Sequence, residues 1–222
     1  MSIKEQLKLY FIMGSNNTGD AKPLDVLEAA LRGGVTCFQL REKGEGALTG
    51  EEKREFALAC QQLCKQYNVP FIVNDDVELA MAIDADGVHV GQDDEEAGRV
   101  REQLGPHKIL GVSTHTLDEV EKAIAAGADY VGMGPVYATI SKADAKPVAG
   151  TELIRKTTLI HPDLPIVGIG GITLDNFAPV IQAGASGVSL ISAIASSHNP
   201  YETARNFATA IDDTIQREGI SS

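Results

Sequence analysis

Two cations and an amide side chain stand close together in one short segment. Residues 39–43 read QLREK, so Arg41 and Lys43 follow Gln39 at alternate positions. If the segment is extended, the period-two alternation of side chains places all three on one side. Arginine offers a planar fork of donors and lysine a point charge, and both bind phosphate oxygens. The alternative is a solvated charge run with ion pairs to the neighbouring glutamates, and this motif alone does not decide between the two.

Carboxylates are concentrated in two other segments, 74–76 (NDD) and 91–94 (GQDD). Mg²⁺ prefers one or two carboxylates together with phosphate oxygens, so Asp75 and Asp94 are candidate ligands for one divalent cation. An aspartate just before a helix is often its N-cap, and Asp76 and Asp94 both fit that alternative. Asp75 fits it less well, because it lies between a predicted strand and the cap.

Further polar side chains could contribute to a site. Ser113 could donate a hydrogen bond to a ligand oxygen, whereas Thr116 is predicted to cap the next helix. His89 lies between two valines, and we expect an interior histidine with a hydrogen bond rather than a metal ligand. Residues 134–150 form a long polar segment that contains Lys142. Loops of this length are uncommon unless functional or disordered, and we interpret this one as a lid or phosphate-binding loop.

Glycine-rich segments at 168–172 (GIGGI) and 187–193 (GVSLISA) could bind a phosphate through the backbone. Glycine lets the main chain approach an anion closely, and the N-terminus of a following helix offers unpaired N–H groups. We therefore expect that a Cβ at Gly171 would occupy space that the phosphate needs, or force a φ that the turn cannot accept. Tight turns without a ligand are the alternative.

These segments follow short apolar strands that alternate with amphipathic helices. Apolar and β-branched runs predict eight strands, at 9–13, 36–40, 70–74, 87–90, 109–113, 130–133, 166–169 and 187–191. Helical patterns that end in glycine precede several of them, as at 25–34, 117–127 and 176–184. Glycine between a helix and a strand is typical of βαβ units. Eight units of about 25 residues predict a (β/α)8 TIM barrel, with residues 1–222 as one domain and 199–216 as the last helix.

In such a barrel the active site lies at the C-terminal ends of the strands, and each motif above starts where a predicted strand ends. Arg41, Lys43, Lys142 and a carboxylate-bound cation suit a pyrophosphate. The neutral glycine segments after the last two strands suit a monophosphate. An enzyme with both sites would join a diphosphate-bearing donor to a phosphate-bearing acceptor. No acid–base pair of glutamates, Ser-His-Asp triad or Schiff-base lysine stands out.

Composition bears on partners and compartment. The 222 residues carry a net charge of −12, which disfavours binding to nucleic acid. No apolar run reaches the roughly 18 residues of a membrane span, and residues 1–12 lack the pattern of a signal peptide. Cys60 and Cys64 lie one helical turn apart with no further metal ligands nearby, so we expect reduced thiols in a cytoplasmic protein. A homo-oligomer is compatible with the sequence, which sets no oligomeric state.

The motifs, in their order and spacing, resemble those of the thiamine-phosphate synthase (thiamine-phosphate pyrophosphorylase) family. The resemblance covers nearly the whole predicted barrel. It rests on QLREK, ND, GVHVGQDD, GVSTHT, GPVYATISK, VGIGGI and GVSLISAI, at residues 39–43, 74–75, 87–94, 111–116, 134–142, 167–172 and 187–194. It implies a Mg²⁺-dependent transferase that joins 4-amino-2-methyl-5-pyrimidinylmethyl diphosphate to a thiazole phosphate. The products would be thiamine phosphate and pyrophosphate.

The resemblance also implies a role for each motif residue. The pyrimidine diphosphate would contact Gln39, Leu40, Arg41, Glu42, Lys43, Asn74, Ser113 and Lys142. The thiazole phosphate would contact Thr139, Ile140, Ser141, Gly171, Ile191 and Ser192. One Mg²⁺ would be held by Asp75 and Asp94, and the catalytic residues would be Arg41, Lys43, Ser113 and Lys142. The family often has proline at the position of Ala138 and threonine at that of Ser141, where serine keeps the hydroxyl group.

The implied mechanism is dissociative. Cations stabilise the departing pyrophosphate, the aminopyrimidine ring carries the methylene cation, and the thiazole nitrogen captures it. No protein nucleophile is needed, which agrees with finding none among the motifs. Two alternatives stay open. A thiazole tautomerase on the same barrel would bind no diphosphate, and a non-catalytic phosphate-binding barrel would show no metal dependence.

Overall fold

Eight parallel strands close into a barrel in sequence order, and the last strand pairs with the first. The computed structural model describes residues 1–92, 96–139 and 147–219. The strands are β1 (Leu9–Met13), β2 (Cys37–Leu40), β3 (Phe71–Asn74), β4 (Gly87–Val90), β5 (Ile109–Thr114), β6 (Tyr130–Met133), β7 (Ile166–Ile169) and β8 (Gly187–Leu190). The predicted (β/α)8 TIM barrel is confirmed, and each predicted strand lies within a residue of its observed ends.

Helices connect the strands and cover the outside of the barrel. They are α1 (Ile3–Gln6), α2 (Pro23–Arg32), α3 (Gly50–Gln66), α4 (Val77–Ala82), α5 (Ala97–Leu104), α6 (Leu117–Ala125), α7 (Glu152–Ile160), α8 (Ala178–Gln182), α9 (Ser192–Ala195) and α10 (Pro200–Glu218), with a 3₁₀ turn at Ser15–Asn17. The sequence did not predict α1 and α9, which are one turn long. None of the helices in the described part of the chain is long and apolar enough to cross a membrane.

Side chains at the helix starts confirm two of the predicted caps. Thr116 precedes α6 and its hydroxyl oxygen accepts from the N–H of Glu119, at 3.2 Å. Asp76 precedes α4 and its carboxylate accepts from the N–H of Leu79, at 2.9 Å. These bonds satisfy backbone donors that have no partner within the helix. Asp76 is therefore a helix cap, as one of its two interpretations predicted.

The strands separate two apolar layers, because successive side chains point to opposite faces. On the outer face, Phe11, Phe38 and Phe71 stand on neighbouring strands with ring centroids 5.7 and 6.0 Å apart, and they pack under the helices. The inner layer fills the barrel with the buried side chains of Tyr10, Ile12, Cys37, Ile72, Tyr130 and Val167. Outside, α10 packs against α2 and α8. The barrel is thus a packed core whose open surface for chemistry is its rim.

The three cysteines are buried and unpaired, as predicted. Cys37 lies inside the barrel, and Cys60 and Cys64 lie on the buried face of α3. Burial raises the pKa of each of these thiols. The reactive thiolate form is therefore disfavoured, and the cysteines act as small apolar side chains.

Candidate active site

The carboxyl ends of the parallel strands form one rim, and this rim collects the predicted site residues that the structure describes. Gln39 lies in β2, Asn74 ends β3, Ser113 lies near the end of β5, and Ser192 follows β8. Strand pairing around the closed barrel brings these positions together, although they are far apart in the sequence. Four predicted site residues, Asp94, Ile140, Ser141 and Lys142, lie outside the described residues.

Lys43 and Asp75 form an ion pair across the ends of β2 and β3. The side chain of Asn74 also donates to the Asp75 carboxylate, at 2.7 Å. The Asp75 side chain is 17 % exposed and that of Lys43 is 40 % exposed, so the pair faces the solvent at the rim. A residue predicted to bind the diphosphate and a residue predicted to bind Mg²⁺ are therefore in direct contact.

The backbone fixes the direction of the Asp75 carboxylate. Asp75 has a φ of +61°, in the left-handed region that aspartate tolerates better than most residues. Its N–H donates to the carbonyl of His89 on the neighbouring strand, at 2.9 Å. Unusual backbone conformations that the surrounding structure maintains are concentrated at functional sites. This one turns the carboxylate out of the strand, while the next residue caps α4.

The donor set at this end of the rim fits a hard divalent cation in part. Asp75 supplies a carboxylate and Asn74 an amide oxygen, which are ligand types that Mg²⁺ accepts. No group of three potential metal ligands occurs among the described residues, and the second predicted carboxylate, Asp94, falls outside them. A Mg²⁺ site with one or two protein carboxylates and substrate phosphate oxygens would need no third acidic residue.

Glu42 joins two loops of the rim. Its carboxylate accepts hydrogen bonds from the N–H and hydroxyl of Ser15, the latter at 2.9 Å, and from the N–H of Leu48 at 2.8 Å. Asn16 strengthens the same junction by donating to the carbonyls of Lys43 and Glu45. This clamp could not be predicted from local sequence patterns, because its two halves follow different strands. The Glu42 side chain thus holds the QLREK loop, and a diphosphate contact at this position would use the backbone.

The QLREK residues differ in how they face the site. Gln39 is 2 % exposed and points into the barrel, whereas Leu40 is equally buried but belongs to the outer apolar layer. Leu40 can therefore meet a substrate only through its main chain. The strand ends at Leu40, and the N–H of Arg41 still pairs with the carbonyl of Met13, at 3.0 Å. Arg41 is half-buried at the rim and Lys43 is exposed.

A row of polar side chains crosses the barrel interior beneath the rim. Gln39 donates to the Tyr10 hydroxyl at 2.8 Å, and the Tyr10 and Tyr130 hydroxyls lie 2.7 Å apart. The Tyr130 hydroxyl is 2.9 Å from Nδ1 of His89, and Nε2 of His89 is 2.9 Å from Oγ of Ser113. His89 is an interior, hydrogen-bonded histidine, as predicted. Sequence reasoning did not find the two tyrosines, whose only signal is their place at inward-facing strand positions.

A second, neutral pocket lies at the ends of β7 and β8. It is lined by Thr139, Ile169, Gly170, Gly171, Ile172, Ser189, Leu190, Ile191, Ser192 and Ala193. The short helix α9 begins at Ser192 without a side-chain cap on its N-terminus. Loops after strands 7 and 8 with the N-terminus of a short extra helix are the usual phosphate site of this fold. The described residues predicted to bind the thiazole phosphate therefore line one pocket.

The backbone confirms one of the two expected reasons for a glycine at position 171, and the packing adds another. Gly171 has a φ of +62°, which disfavours any side chain. A Cβ there would lie 2.3 Å from the carbonyl oxygen of Ala138 and 2.9 Å from Cβ of Tyr137. It would thus collide with the loop after β6, before it could compete with a phosphate. Gly171 allows that loop, which continues into Thr139, to lie against the pocket.

The Glu42 clamp predicts a local effect of mutation. Glu42→Ala should leave the N–H groups of Ser15 and Leu48 without their acceptor, and their hydrogen exchange should become about tenfold faster or more. Amide exchange followed by NMR measures both positions. Glu45→Ala is the matched control, because the Glu45 side chain is exposed in the same loop. Unchanged exchange at both amides in Glu42→Ala would show that the carboxylate does not hold the two loops together.

Comparisons with known proteins agree on one family. Residues 9–194 match the family model described as thiamine monophosphate synthase. The thiamine-phosphate synthase of Geobacillus thermodenitrificans is 59 % identical over 215 residues, which cover 97 % of this chain and 96 % of that protein. The thiamine-phosphate synthase of Bacillus licheniformis is 56 % identical over 216 residues, covering 97 % and 95 %.

A solved structure gives the same result. The thiamine phosphate pyrophosphorylase from Pyrococcus furiosus superimposes with a TM-score of 0.85 at 32 % identity, covering 96 % of this chain and all of that one. The match extends over the strands, the rim and the pocket described above. The chain belongs to the thiamine-phosphate synthase family.

Proposed function

We propose that this protein joins 4-amino-2-methyl-5-pyrimidinylmethyl diphosphate to a thiazole phosphate and releases thiamine phosphate and pyrophosphate. The observation that carries the proposal is the presence of a charged cluster and a neutral pocket on one rim. One contains the ion-paired Lys43 and Asp75, and the other is the neutral pocket beside α9. Two phosphorylated substrates of different charge would each have a site, with their reacting ends directed to the space between.

The charged site would stabilise the leaving group. In the reaction the bond between the methylene carbon and the diphosphate oxygen breaks, and pyrophosphate leaves with the electron pair. Arg41, Lys43 and Lys142 would face the negative charge that grows on it. Asp75 and Asp94 would hold Mg²⁺, which when bound neutralises charge on the diphosphate oxygens. The clamp at Glu42 would keep the loop that carries Arg41 and Lys43 in place before the substrate arrives.

The neutral pocket would position the second substrate. Backbone N–H groups at the start of α9, with the side chains of Thr139 and Ser192, would bind the thiazole phosphate. Held in this way, the thiazole nitrogen could donate its lone pair to the methylene carbon and form the new C–N bond. No side chain needs to act as a nucleophile.

We also propose that the protein works in the cytoplasm on small-molecule substrates. Three buried, unpaired cysteines support this proposal, because reduced thiols are typical of the reducing cytoplasm. A thiazole tautomerase on the same barrel is the rival function. It would use the neutral pocket alone, and it would give no reason for an ion pair of Lys43 with a left-handed Asp75 at the other end of the rim.

Pyrophosphate release tests the proposed reaction. A coupled assay with both substrates should show pyrophosphate formed in proportion to thiamine phosphate, and none when either substrate is omitted. A tautomerase or a binding protein would release no pyrophosphate under any of these conditions, and that result would overturn the proposal.

The same assay tests the metal assignment. Excess chelator should lower the rate by at least about 10²-fold. Without Mg²⁺, the lysine and arginine side chains alone would neutralise only part of the negative charge on the leaving pyrophosphate. Adding Mg²⁺ beyond the chelator should restore the rate. Full activity in excess chelator would contradict a metal site at Asp75 and Asp94.

Lys142→Ala tests whether Lys142 belongs to the charged site or to the neutral pocket. If Lys142 acts on charge that grows as pyrophosphate leaves, the variant should lower kcat about 10²-fold and change the KM for the thiazole phosphate little. Lys156→Ala is the control, because Lys156 is exposed on α7 and pairs with Glu152. A rise in the thiazole phosphate KM alone would place Lys142 in the neutral site instead.

A further inference from the structure

The polar row inside the barrel ends at a residue of the proposed diphosphate site. Its members belong to five strands: Tyr10 in β1, Gln39 in β2, His89 in β4, Ser113 in β5 and Tyr130 in β6. Tyr10 and Tyr130 are at most 1 % exposed, and His89 is 8 % exposed. Ser113 alone reaches the rim, where it is half-buried. Gln39, at the other end of the row, is also a predicted diphosphate contact but is only 2 % exposed, so the row reaches the surface of the rim through the Ser113 hydroxyl.

Both tyrosines stay protonated in this position. Burial raises the pKa of Tyr10 and of Tyr130 well above the usual value. Each phenol therefore has one proton to donate, and either hydroxyl can be the donor in the bond between them.

One arrangement of protons connects the whole row from Gln39 to Ser113. Gln39 donates to Tyr10, so Tyr10 can donate onward to Tyr130. In this arrangement Tyr130 donates to Nδ1 of His89, which is then the unprotonated ring nitrogen. The imidazole proton then lies on Nε2 and is donated to Oγ of Ser113. The Ser113 hydroxyl, which now accepts from His89, has its own proton free to point out of the barrel.

Two glycines make room for the central junction of this row. A Cβ at Gly111 would lie 2.3 Å from the Tyr130 hydroxyl oxygen and 2.5 Å from Nδ1 of His89. A Cβ at Gly132 would lie 3.2 Å from Cε1 of the same imidazole. Neither glycine has a left-handed backbone, so space rather than conformation calls for a missing side chain at both positions. The missing side chains at Gly111 and Gly132 therefore leave the space that the contact between Tyr130 and His89 occupies.

We propose that Tyr130 and His89 are positioning residues that fix the imidazole proton on Nε2 and so turn the Ser113 hydroxyl proton toward the diphosphate. The inference rests on the proposed function and on the prediction that Ser113 contacts the pyrimidine diphosphate. An outward O–H can donate to an oxygen whose negative charge increases as the C–O bond breaks, and this donation stabilises the transition state. With the opposite direction of the row, Ser113 would donate to His89 and offer the leaving group no proton.

A purely structural role is the competing explanation. Buried polar networks whose members are all satisfied also make a core rigid and specific. Such a role predicts that removing one hydroxyl lowers stability, whether or not Ser113 is present. Action through Ser113 predicts that the effect of Tyr130 on turnover disappears once Ser113 is replaced.

A double-mutant cycle separates these explanations. Ser113→Ala should lower kcat about 10²-fold, and Tyr130→Phe about tenfold. In the Ser113→Ala background, Tyr130→Phe should change kcat less than about twofold, because the group it acts through is gone. Tyr67→Phe is the matched control, since the Tyr67 hydroxyl lies on the surface beside Glu28. Independent effects of the two replacements on kcat would overturn the proposal.

Two replacements of His89 test whether its Nε2 donates a hydrogen bond to Ser113. The side-chain amide of glutamine can place its NH₂ near the position of Nε2, whereas that of asparagine reaches only as far as Nδ1. His89→Gln should therefore retain at least about tenfold more turnover than His89→Asn, at similar KM values for both substrates. Thermal melts of both variants show whether each is folded. Equal losses in two folded variants would contradict a donor role toward Ser113.

NMR of the protein with ¹⁵N-labelled histidine identifies the tautomer of His89 directly, in the absence of substrate. The expected spectrum has the His89 proton on Nε2 in the wild-type protein, and a mixture of tautomers in Tyr130→Phe. A proton on Nδ1 in the wild-type protein would overturn the proposal. Because this readout needs no substrate, failure of the proposed reaction and failure of the inference can be told apart.

Discussion

Closure of a parallel barrel is the constraint on which the rest of this structure depends. Eight strands that run in one direction and pair in sequence order must end at the same rim. Side chains that follow β2, β3, β5 and β8 therefore face one another, although their positions span most of the chain. The inner apolar layer and the polar row fill the space below, so the barrel interior is closed and the rim is its open end.

The rim has to create positive charge locally in an acidic protein. The chain carries a net charge of −12, which repels anions at long range. Lys43 is held at the strand ends by Asp75, and its loop is tied to the turn after β1 through Glu42. The neutral pocket needs no cationic side chain to overcome this repulsion, because backbone N–H groups can bind a phosphate. Two anions of different charge can thus be distinguished on one surface.

Much of this arrangement could be predicted from the sequence, because it depends on local patterns. Short β-branched runs that follow a glycine mark the strands, and their order implies the barrel. Asp76 and Thr116 could be recognised as helix caps from their neighbours alone. The rim residues could be found because each stands directly after a strand.

Partners that are distant in sequence could not be predicted. Tyr10 and Tyr130 are 120 positions apart and meet only because the barrel is closed. Glu42 bonds to Ser15 from 27 positions away, so the role of its side chain as a loop clamp could not be recognised in the QLREK segment. The reason for Gly171 depends on a loop from another strand, which no pattern around that glycine reveals.

The central claim is that two independent anion sites of different chemistry share the rim. Calorimetric titration with pyrophosphate and with the thiazole phosphate, each alone and each in the presence of the other, tests it most directly. The account predicts that both bind at the same time, and that only pyrophosphate binding requires Mg²⁺ and weakens strongly with salt. Competition between the two ligands, or equal dependence of both on Mg²⁺, would contradict it.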